Sequence, residues 1–385
     1  MLNCFKKILL WGLASTAVSA AEFKDDAAKY WDFSKLQKAP AYRPSKLAES
    51  QVKDLEDILF DGVPYKGKPA PVFAYIGYPK TPMPASGYPG VLLVHGGGGT
   101  AFPDAARLWN KYGFAVLMID WYNSHPKQEA REKRGVANKL PLPGGNRNDL
   151  QTNVANMVLA HSLLRSLPKV NQDKTVFVGL SWGSWYGATV AALDNRFKGA
   201  VEIYCGDIKP VKNHRYLVNG AFLHSAKIPM YWVCSTNDAN ATPQSLQNAW
   251  DVCPTIVNKS IVIRLPHSHV GFKFPSCFRM ADHFANGAPM LPKLSKITVK
   301  DGVASCKVLN KGKGIIKTIF CYTLDRDPVK SKDRKWLEIP AKMEGDTLSV
   351  KLPEKILQGY FSAYDEKSRY NDCCGSSDFM FFPEK

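Results

Sequence analysis

Apolar runs recur through the middle of the chain, and within each run apolar residues follow one another without alternating polar residues. Strands that alternate apolar and polar residues keep one face in water, whereas continuous Val, Ile and Leu runs are covered on both faces. Short runs of this kind therefore predict strands in the interior of a layered domain. The six predicted strands are Gly90–Gly97, Phe114–Trp121, Lys174–Leu180, Lys198–Cys205, Ile228–Ser235 and Ser260–Leu265.

Helix-like segments separate these runs. The clearest begins after the cap residues Asn148 and Asp149 and ends near Leu167, with apolar residues at spacings of three and four. This alternation predicts an α/β fold with a doubly wound, mostly parallel sheet. Upstream, Val72–Lys80 predicts an antiparallel strand at the edge of the sheet. Ser45–Phe60 has the strongest helical character in an N-terminal arm.

The pattern changes after Pro292 to short alternating segments separated by Gly, Asp and Pro. Such a texture is typical of a small β-sandwich. We therefore predict three regions, which are a leader over residues 1–20, an α/β domain with an N-terminal arm over 21–292, and a β-sandwich over 293–385.

The first twenty residues have the pattern of a signal peptide. Lys6 and Lys7 precede an apolar stretch from Ile8 to Val18, and the small residues Ser19 and Ala20 follow. The alternative is a membrane anchor, although the apolar stretch is short for a bilayer crossing. The pattern predicts cleavage after Ala20 and a secreted or periplasmic protein, with no transmembrane segment in the mature chain.

Export changes how the cysteines are interpreted. The chain has nine, and removal of Cys4 with the leader leaves eight, an even number that suggests disulfides in an oxidising compartment. The candidate bridges are Cys253–Cys277 and one that joins Cys306 or Cys321 to Cys373 or Cys374. No Cys-x-x-Cys pair is accompanied by a second such pair or a pair of histidines, so we expect no zinc site, and no other metal or cofactor.

Composition and charge limit the possible partners. The 385 residues are 45% hydrophobic and 22% charged, which is typical of a globular protein. The formal net charge of +17 suits either a solvated face or weak attraction to an acidic polysaccharide or an anionic envelope. Nucleic acid is not an expected partner, because no basic helix or aromatic and basic platform accompanies the charge. The oligomeric state stays open.

One serine stands between two glycines where a predicted strand becomes a helix. Gly179-Leu180-Ser181-Trp182-Gly183 matches the G-x-S-x-G nucleophile elbow. This turn holds the serine hydroxyl above the sheet in a strained conformation, and its flanking positions must be small because backbone packs against backbone. The small residues that follow suit a tightly packed helix. Ser181 is therefore the predicted nucleophile.

A serine nucleophile needs a base and an acid that orients the base. On this kind of sheet the order along the chain is serine, acid and then base. Asp238 follows a predicted strand and is the predicted acid, with Asp207 as the alternative. His267 and His269 both follow the last predicted strand. We predict His269 as the base because Val270-Gly271-Phe272 follows it, and His267 is the alternative.

Charge that develops on the substrate oxygen needs two N–H donors. The predicted oxyanion-hole donors are the backbone amides of Trp182, the residue after the serine, and Gly97, in the loop His95-Gly96-Gly97-Gly98-Gly99. Aromatic side chains near the strand ends are predicted to line a sugar or acyl pocket, with core packing as the alternative. They are Trp121, Tyr122 and Trp185, and Trp182 lies beside them.

Between residues 61 and 286 the sequence resembles the α/β-hydrolase superfamily, and within it the secreted bacterial acetylxylan esterases, dienelactone hydrolases and prolyl-oligopeptidase catalytic domains. The segments that carry the resemblance are VLLVHGGGGTAFPDAARLWNKYGFAVLMIDW, LAHSLLRSLPKV, VGLSWGS, STNDANATPQSLQ and LPHSHVGF. The resemblance implies an α/β-hydrolase fold and hydrolysis through an acyl-enzyme, with Ser181, His269 and Asp238 as the triad.

Three functions fit these features. The first is a secreted serine carboxylester hydrolase that removes acetyl groups from polysaccharide. The second is a serine peptidase of the prolyl-oligopeptidase kind, although only about 70 residues lie between the leader and the first buried strand, too few for a propeller. The third is a non-catalytic carbohydrate-binding protein on a hydrolase scaffold, which the intact order of serine, aspartate and histidine disfavours.

Overall fold

The structure is a computed structural model that describes residues 27–45, 52–122, 124–126, 139–141, 149–205, 222–326 and 329–382. The predicted leader, residues 1–20, and the alternative acid Asp207 lie outside the described residues. Strands β6 (Ser124–Pro126) and β7 (Lys139–Pro141) pair as a separate two-stranded antiparallel sheet.

A nine-stranded sheet forms the centre of the protein. Its spatial order is β1-β2-β3-β5-β4-β8-β9-β10-β11, and the six strands from β5 to β11 in this order are mutually parallel. The strands are β1 (Tyr42–Pro44), β2 (Glu56–Asp61), β3 (Pro71–Gly77), β4 (Tyr88–Val94), β5 (Ala115–Ile119), β8 (Val170–Leu180), β9 (Gly199–Ile203), β10 (Met230–Ser235) and β11 (Ile256–Val262). Each of the six predicted strands is present, and the mostly parallel α/β sheet is confirmed.

Helices cover both faces of the sheet, as the continuous apolar strands require. Leu92 and Val94 of β4 enter one apolar core, whereas Val91 and Leu93 enter the other. The described helices are α1 (Ala27–Tyr30), α2 (Phe33–Leu36), α3 (Pro103–Lys111), α4 (Leu150–Ser166), α5 (Trp182–Leu193), α6 (Pro243–Val252) and α7 (Pro275–Asn286). The helix predicted after Asp149 is α4, and the Asp149 side chain accepts a hydrogen bond from the Thr152 backbone N–H.

The N-terminal side of the sheet differs from the prediction in two ways. The strand predicted at Val72–Lys80 is β3, and it is antiparallel to β5, but β2 and β1 lie outside it, so it is not the edge. The helix predicted over Ser45–Phe60 is wrong in its described part, because residues 56–61 form strand β2. Pairing with β3 buries Ile58 and Phe60 on alternate positions, and this tertiary contact outweighs local helix propensity.

Residues 293–381 form two antiparallel sheets packed around a separate apolar cluster that includes Phe320, Leu348 and Phe361. One sheet has the order β12-β14-β18-β17 with β13 paired to β14, and the other has the order β16-β15-β19-β20 with β21 paired to β19. Their strands are β12 (Lys293–Leu294), β13 (Thr298–Lys300), β14 (Val303–Asn310), β15 (Lys317–Thr323), β16 (Leu337–Pro340), β17 (Lys342–Glu344), β18 (Thr347–Lys351), β19 (Gln358–Tyr364), β20 (Cys374–Ser376) and β21 (Met380–Phe381). We call this part the β-sandwich.

The β-sandwich covers the last strand of the large sheet. The Ile261 backbone N–H of β11 donates to Ser376 Oγ at 3.0 Å, and Ser260 Oγ donates to the Cys374 carbonyl at 2.5 Å. Two bonds join Arg279 of α7 to the Asp365 carboxylate, at 2.7 and 2.5 Å. Since both groups are almost fully buried, the α/β part and the β-sandwich share a polar and apolar junction rather than a loose linker.

The eight cysteines from Cys205 to Cys374 are all buried free thiols. None of the predicted bridges is formed in the described structure. No helix in the described part of the chain has the length and apolarity that a membrane crossing needs.

Candidate active site

Ser181 occupies a strained turn between β8 and α5. Its φ of 54° and ψ of −118° are unfavourable for a residue that is not glycine. The turn is held in place because the Ser181 N–H donates to the Ile203 carbonyl at 2.8 Å, and the Ser181 carbonyl accepts from Ser184 and Trp185. The hydroxyl therefore stands at the carboxyl end of the parallel strands and at the start of a helix, as in a nucleophile elbow.

The glycines on either side of Ser181 are required by close packing. A Cβ on Gly183 would lie 2.3 Å from the Val94 carbonyl oxygen, and one on Gly179 would lie 2.7 Å from the Gly183 carbonyl oxygen. Neither backbone atom can move away cheaply. The local sequence thus forms the elbow because no side chain fits at these two positions.

Ser181, His267 and Asp238 form a hydrogen-bonded relay. Ser181 Oγ lies 2.8 Å from His267 Nε2, and His267 Nδ1 lies 2.5 Å from Asp238 Oδ2. The Asp238 side chain is 1% exposed and that of His267 is 24% exposed. A buried carboxylate beside Nδ1 favours the tautomer with its proton there, which leaves Nε2 to accept the serine proton.

The structure corrects the prediction of His269 as the residue against Ser181, because His267 occupies that position. His269 Nε2 instead accepts a hydrogen bond from the Gly96 backbone N–H at 3.2 Å, and its ring lies 4.6 Å from the Phe102 ring. Ser268 between the two histidines is extended, and His269 begins a short 3-10 turn, so the two rings occupy different places beside Ser181 and the glycine loop. That difference decides which ring reaches the hydroxyl, and a motif cannot resolve it.

The loop after β10 positions Asp238. Asp238 Oδ1 accepts from the backbone N–H groups of Asn240 at 2.8 Å and Ala241 at 3.3 Å, while the other oxygen bonds to His267. Both carboxylate oxygens are therefore engaged. Asp238, the predicted acid, is thus the carboxylate bonded to His267, and its catalytic role remains a prediction.

The glycine loop after β4 packs against the residue that follows the serine. A Cβ on Gly97 would lie 2.7 Å from the Trp182 ring, and one on Gly96 would lie 3.1 Å from Ser181 Cβ. Trp182 is the first residue of α5, so its N–H lies at the positive end of the helix. The structure thus packs Gly97 against Trp182 next to Ser181, and the role of their N–H groups as oxyanion donors remains a prediction.

Buried polar side chains fix the shape of this loop. His95 Nε2 lies 3.1 Å from Asp120 Oδ1, and Thr100 Oγ1 donates to the other Asp120 oxygen at 2.7 Å. All three side chains belong to fully buried residues. The Tyr122 hydroxyl donates to the Gly97 carbonyl at 3.2 Å, so the peptide that follows Gly97 is held as well.

The aromatic residues predicted to line a pocket have different environments. Trp121 is completely buried and its Nε1 donates to the His95 carbonyl, so the prediction that it contacts a ligand is wrong. Tyr122 is half-buried and bonds to the glycine loop. Trp185 is half-buried, and its ring lies 5.5 Å from that of Trp182. Contact between Trp185 or Tyr122 and a substrate remains a prediction.

Tyr204 is a site residue that sequence reasoning missed. Its ring stacks on the His267 ring at 4.7 Å, and its hydroxyl donates to the Pro266 carbonyl at 2.5 Å. Tyr204 has a φ of 59°, which turns the chain sharply at the end of β9. The only signal in the sequence is an aromatic residue directly after a predicted strand, and many core residues share it.

A buried acid lies beneath the helix that follows Ser181. Glu202 of β9 is fully buried, and the Ser184 hydroxyl bonds to its Oε2 at 2.5 Å. Among the described residues, Glu202 Oε1 has no hydrogen-bond partner. Burial raises the pKa of Glu202 to about 8, so the group is a neutral acid at neutral pH.

No group of three His, Cys, Asp or Glu side chains is placed to hold a metal ion in the described part of the chain. The arrangement around Ser181 combines a hydroxyl, an imidazole within hydrogen-bond distance of it and a carboxylate bonded to that imidazole, which are the groups that nucleophilic catalysis uses.

Comparisons with known proteins give a family match over part of the chain and a set of structures with a similar fold. Residues 72–249 match the model of the dienelactone hydrolase family. No curated protein sequence gives a match. Similar solved structures include the acetyl xylan esterase from Paenibacillus sp. R4, with 18% identity, a TM-score of 0.49, and coverage of 67% of this chain and 94% of that chain.

Two further structures have lower scores. Acetyl xylan esterase 1 from Thermoanaerobacterium sp. JW/SL YS485 has 17% identity and a TM-score of 0.44, over 64% of this chain and 88% of that one. The Pyrococcus horikoshii acylaminoacyl peptidase has 13% identity and a TM-score of 0.43, over 60% of this chain and 40% of that one. Likeness at this level does not indicate a substrate. The sheet order and the elbow give this chain an α/β-hydrolase fold, and residues 72–249, slightly less than half of the chain, are similar to the dienelactone hydrolase family.

Proposed function

We propose that this protein is a secreted serine carboxylester hydrolase that acts through an acyl-enzyme and removes acetyl groups from polysaccharide. The observation that carries the proposal is the continuous relay from Ser181 Oγ through His267 to Asp238, at 2.8 and 2.5 Å. Because the serine also sits in a strained elbow, the relay is built around a hydroxyl held in a reactive position.

The relay provides for proton transfer in both halves of the reaction. His267 Nε2 takes the proton as Ser181 Oγ attacks the ester carbonyl, and Asp238 stabilises the imidazolium that results. The same proton then passes to the departing alcohol as the acyl-enzyme forms. In the second half His267 activates a water molecule, which releases the acid and returns the hydrogen to Ser181.

The glycine loop and the start of α5 supply the oxyanion hole. The backbone N–H groups of Gly97 and Trp182 are the proposed donors to the negative oxygen of the tetrahedral intermediate. Support comes from the contact between Gly97 and the Trp182 ring, and from the network that holds the loop before any substrate arrives. Donors fixed in advance need no reorganisation during the reaction.

Small acyl groups suit the surroundings of the serine. Ser181 is only 8% exposed, and Trp182 and Trp185, whose rings lie 5.5 Å apart, follow it in the first turn of α5. A short apolar acyl group buried against these rings gains from leaving water, while the bulky alcohol part remains outside. An acetyl ester on a sugar has this shape, and the dienelactone hydrolase match supports an ester rather than a peptide bond.

The decisive experiment is hydrolysis of p-nitrophenyl acetate, acetylated xylan and a prolyl nitroanilide peptide by the wild type and Ser181→Ala. We expect release of acetate by the wild type and its loss in the variant, with equal far-UV circular dichroism. A fluorophosphonate probe should label the wild type at Ser181 alone. Peptide cleavage without ester cleavage would favour a peptidase, and ester cleavage that survives in Ser181→Ala would refute the proposal.

Export is part of the proposal and rests on the pattern of residues 1–20. N-terminal sequencing of the protein from the culture medium or periplasm should begin at Ala21, after cleavage at Ala20. A cell-associated protein that retains residue 1 would contradict export without affecting the proposed chemistry.

A further inference from the structure

A turn of the β-sandwich, residues 330–335, is hydrogen-bonded to the loop that carries Asp238. The Asn237 side-chain amide donates to the carbonyls of Lys332 at 3.1 Å and Arg334 at 2.8 Å, with a longer contact of 3.5 Å to Ser331. Asn237 directly precedes Asp238. One asparagine therefore ties the β-sandwich to the loop that carries the proposed acid.

The turn is anchored at its other end as well. Trp336 is buried, and its ring packs 5.6 Å from Tyr360 and 6.1 Å from Phe379. The Lys335 backbone N–H donates to Asp325 Oδ2 at 2.6 Å. Held at both ends, the turn is a fixed feature of the surface beside the site.

Positive charge is concentrated on this turn. Between residues 325 and 335 the sequence has five cationic and three anionic residues. Lys332 is paired with Asp333 at 2.7 Å, whereas no ion pair joins Lys330 or Lys335 to a carboxylate among the described residues. Both lysines are exposed. We call the surface formed by residues 330–335 and Arg264 the basic ridge.

Arg264 extends the ridge along the α/β part. It is exposed after β11, and its backbone N–H donates to Thr236 Oγ1 at 3.2 Å. Thr236 in turn donates to the Asn237 side-chain oxygen at 2.7 Å. The path from Ser181 Oγ through the relay and Asn237 to the Lys332 carbonyl is at most about 25 Å long, a span that several sugar units of an extended polymer cover.

We propose that the basic ridge binds the anionic groups of an acidic polysaccharide whose ester is presented to Ser181, which makes acidic glycans the substrate class. This inference rests on the proposed esterase function and adds the substrate's charge and a role for the β-sandwich. A single exposed pair contributes little, but a polyanion meets several fixed cations at once, so weak contacts accumulate. Carboxylate and sulfate groups share the required chemistry.

The test compares two triple variants that remove the same charge. Arg264→Gln, Lys330→Gln and Lys335→Gln change the ridge. The control carries Lys296→Gln, Lys300→Gln and Lys351→Gln, which are exposed positions elsewhere in the β-sandwich. None of the six residues belongs to the relay or the glycine loop, so both variants should retain full activity on p-nitrophenyl acetate.

Acetylated polygalacturonate, acetylated xylan and p-nitrophenyl acetate serve as substrates at about 20 and about 300 mM salt. For the acidic polymer at low salt, the ridge variant should lose about fivefold in kcat/KM through KM, and the loss should shrink at high salt. The neutral polymer and p-nitrophenyl acetate should be unaffected. Unesterified polygalacturonate and dextran sulfate, added as competitors, distinguish carboxylate from sulfate recognition.

The inference is overturned if the two triple variants behave alike on the acidic polymer, or if the wild type does not prefer it over acetylated xylan. These results differ from failure of the proposed function. In that case p-nitrophenyl acetate hydrolysis would be absent or would survive in Ser181→Ala.

Discussion

Separate replacement of His267 and His269 tests whether His267 is the base and His269 holds the glycine loop. His267→Ala removes the ring that lies 2.8 Å from Ser181 Oγ and 2.5 Å from Asp238. His269→Leu removes the acceptor of the Gly96 N–H at 3.2 Å. His269→Gln retains a hydrogen-bond acceptor of similar reach and is the matched control.

The magnitudes follow from what each ring contacts. Loss of a triad histidine lowers kcat by about 10⁴-fold or more, because the hydroxyl then has no base. Loss of one hydrogen bond to a backbone N–H costs about 1 kcal/mol, which corresponds to roughly fivefold if it falls entirely on the transition state. We therefore expect His269→Leu to retain about a fifth of the activity and His269→Gln to retain most of it.

The assay is kcat and KM for p-nitrophenyl acetate, with thermal unfolding to show that each variant is folded. A loss in His269→Leu as large as that in His267→Ala would refute the assignment of roles. So would activity of His267→Ala within tenfold of the wild type. Equal losses in His269→Leu and His269→Gln would show that the hydrogen bond to Gly96 is not what matters.

Three further predictions concern the surroundings of the site. Gly97→Ala should lower kcat at least tenfold because its Cβ would lie 2.7 Å from the Trp182 ring, whereas Gly98→Ala, with no atom within 4 Å, should be nearly neutral. Glu202 stays protonated up to about pH 8 in the folded state but only up to about pH 4.5 in the unfolded state. Between these two pH values the free energy of unfolding therefore falls by about 1.4 kcal/mol for each pH unit, and Glu202→Gln should remove this slope. A thiol reagent should find no reactive cysteine in the native protein and eight between residues 205 and 374 after unfolding, because all are buried and burial raises the pKa of thiols such as Cys234.

Each of these has a result that would contradict it. Equal activities of the two glycine variants would exclude a role for the packing of Gly97. An unchanged pH dependence of urea unfolding in Glu202→Gln would mean that the buried carboxyl does not titrate in this range. Fewer than eight thiols in the unfolded chain would show that disulfides form during export.

The fold was predictable from sequence where burial alone decides structure. The strands of the parallel sheet are continuous apolar runs, and a sheet with helices on both faces covers both of their sides. The segment 56–61 was misread because its helical character is local, whereas its strand depends on the distant residues 71–76. Pairing between distant segments is not written in a short window of sequence.

The site was predictable to the level of the loops but not of the side chains. Gly179 and Gly183 flank Ser181 for steric reasons that a motif captures, and Asp238 follows a strand whose end had to face the serine. The choice between His267 and His269 depended on a difference of a few ångströms. Whether Trp121 lines a pocket depended on how deeply its ring is buried. Tyr204 acts through stacking on an imidazole, which needs coordinates to be recognised.

The contact between β11 and the β-sandwich has a consequence for how this protein can be divided. The Ile261 N–H bonds to the side-chain oxygen of Ser376 in β20, and a chain that stopped near Pro292 would leave that side of β11 uncovered. An uncovered strand edge pairs with the same edge of a second molecule, and this aggregation competes with folding. We therefore expect the α/β part to aggregate when it is produced without the β-sandwich.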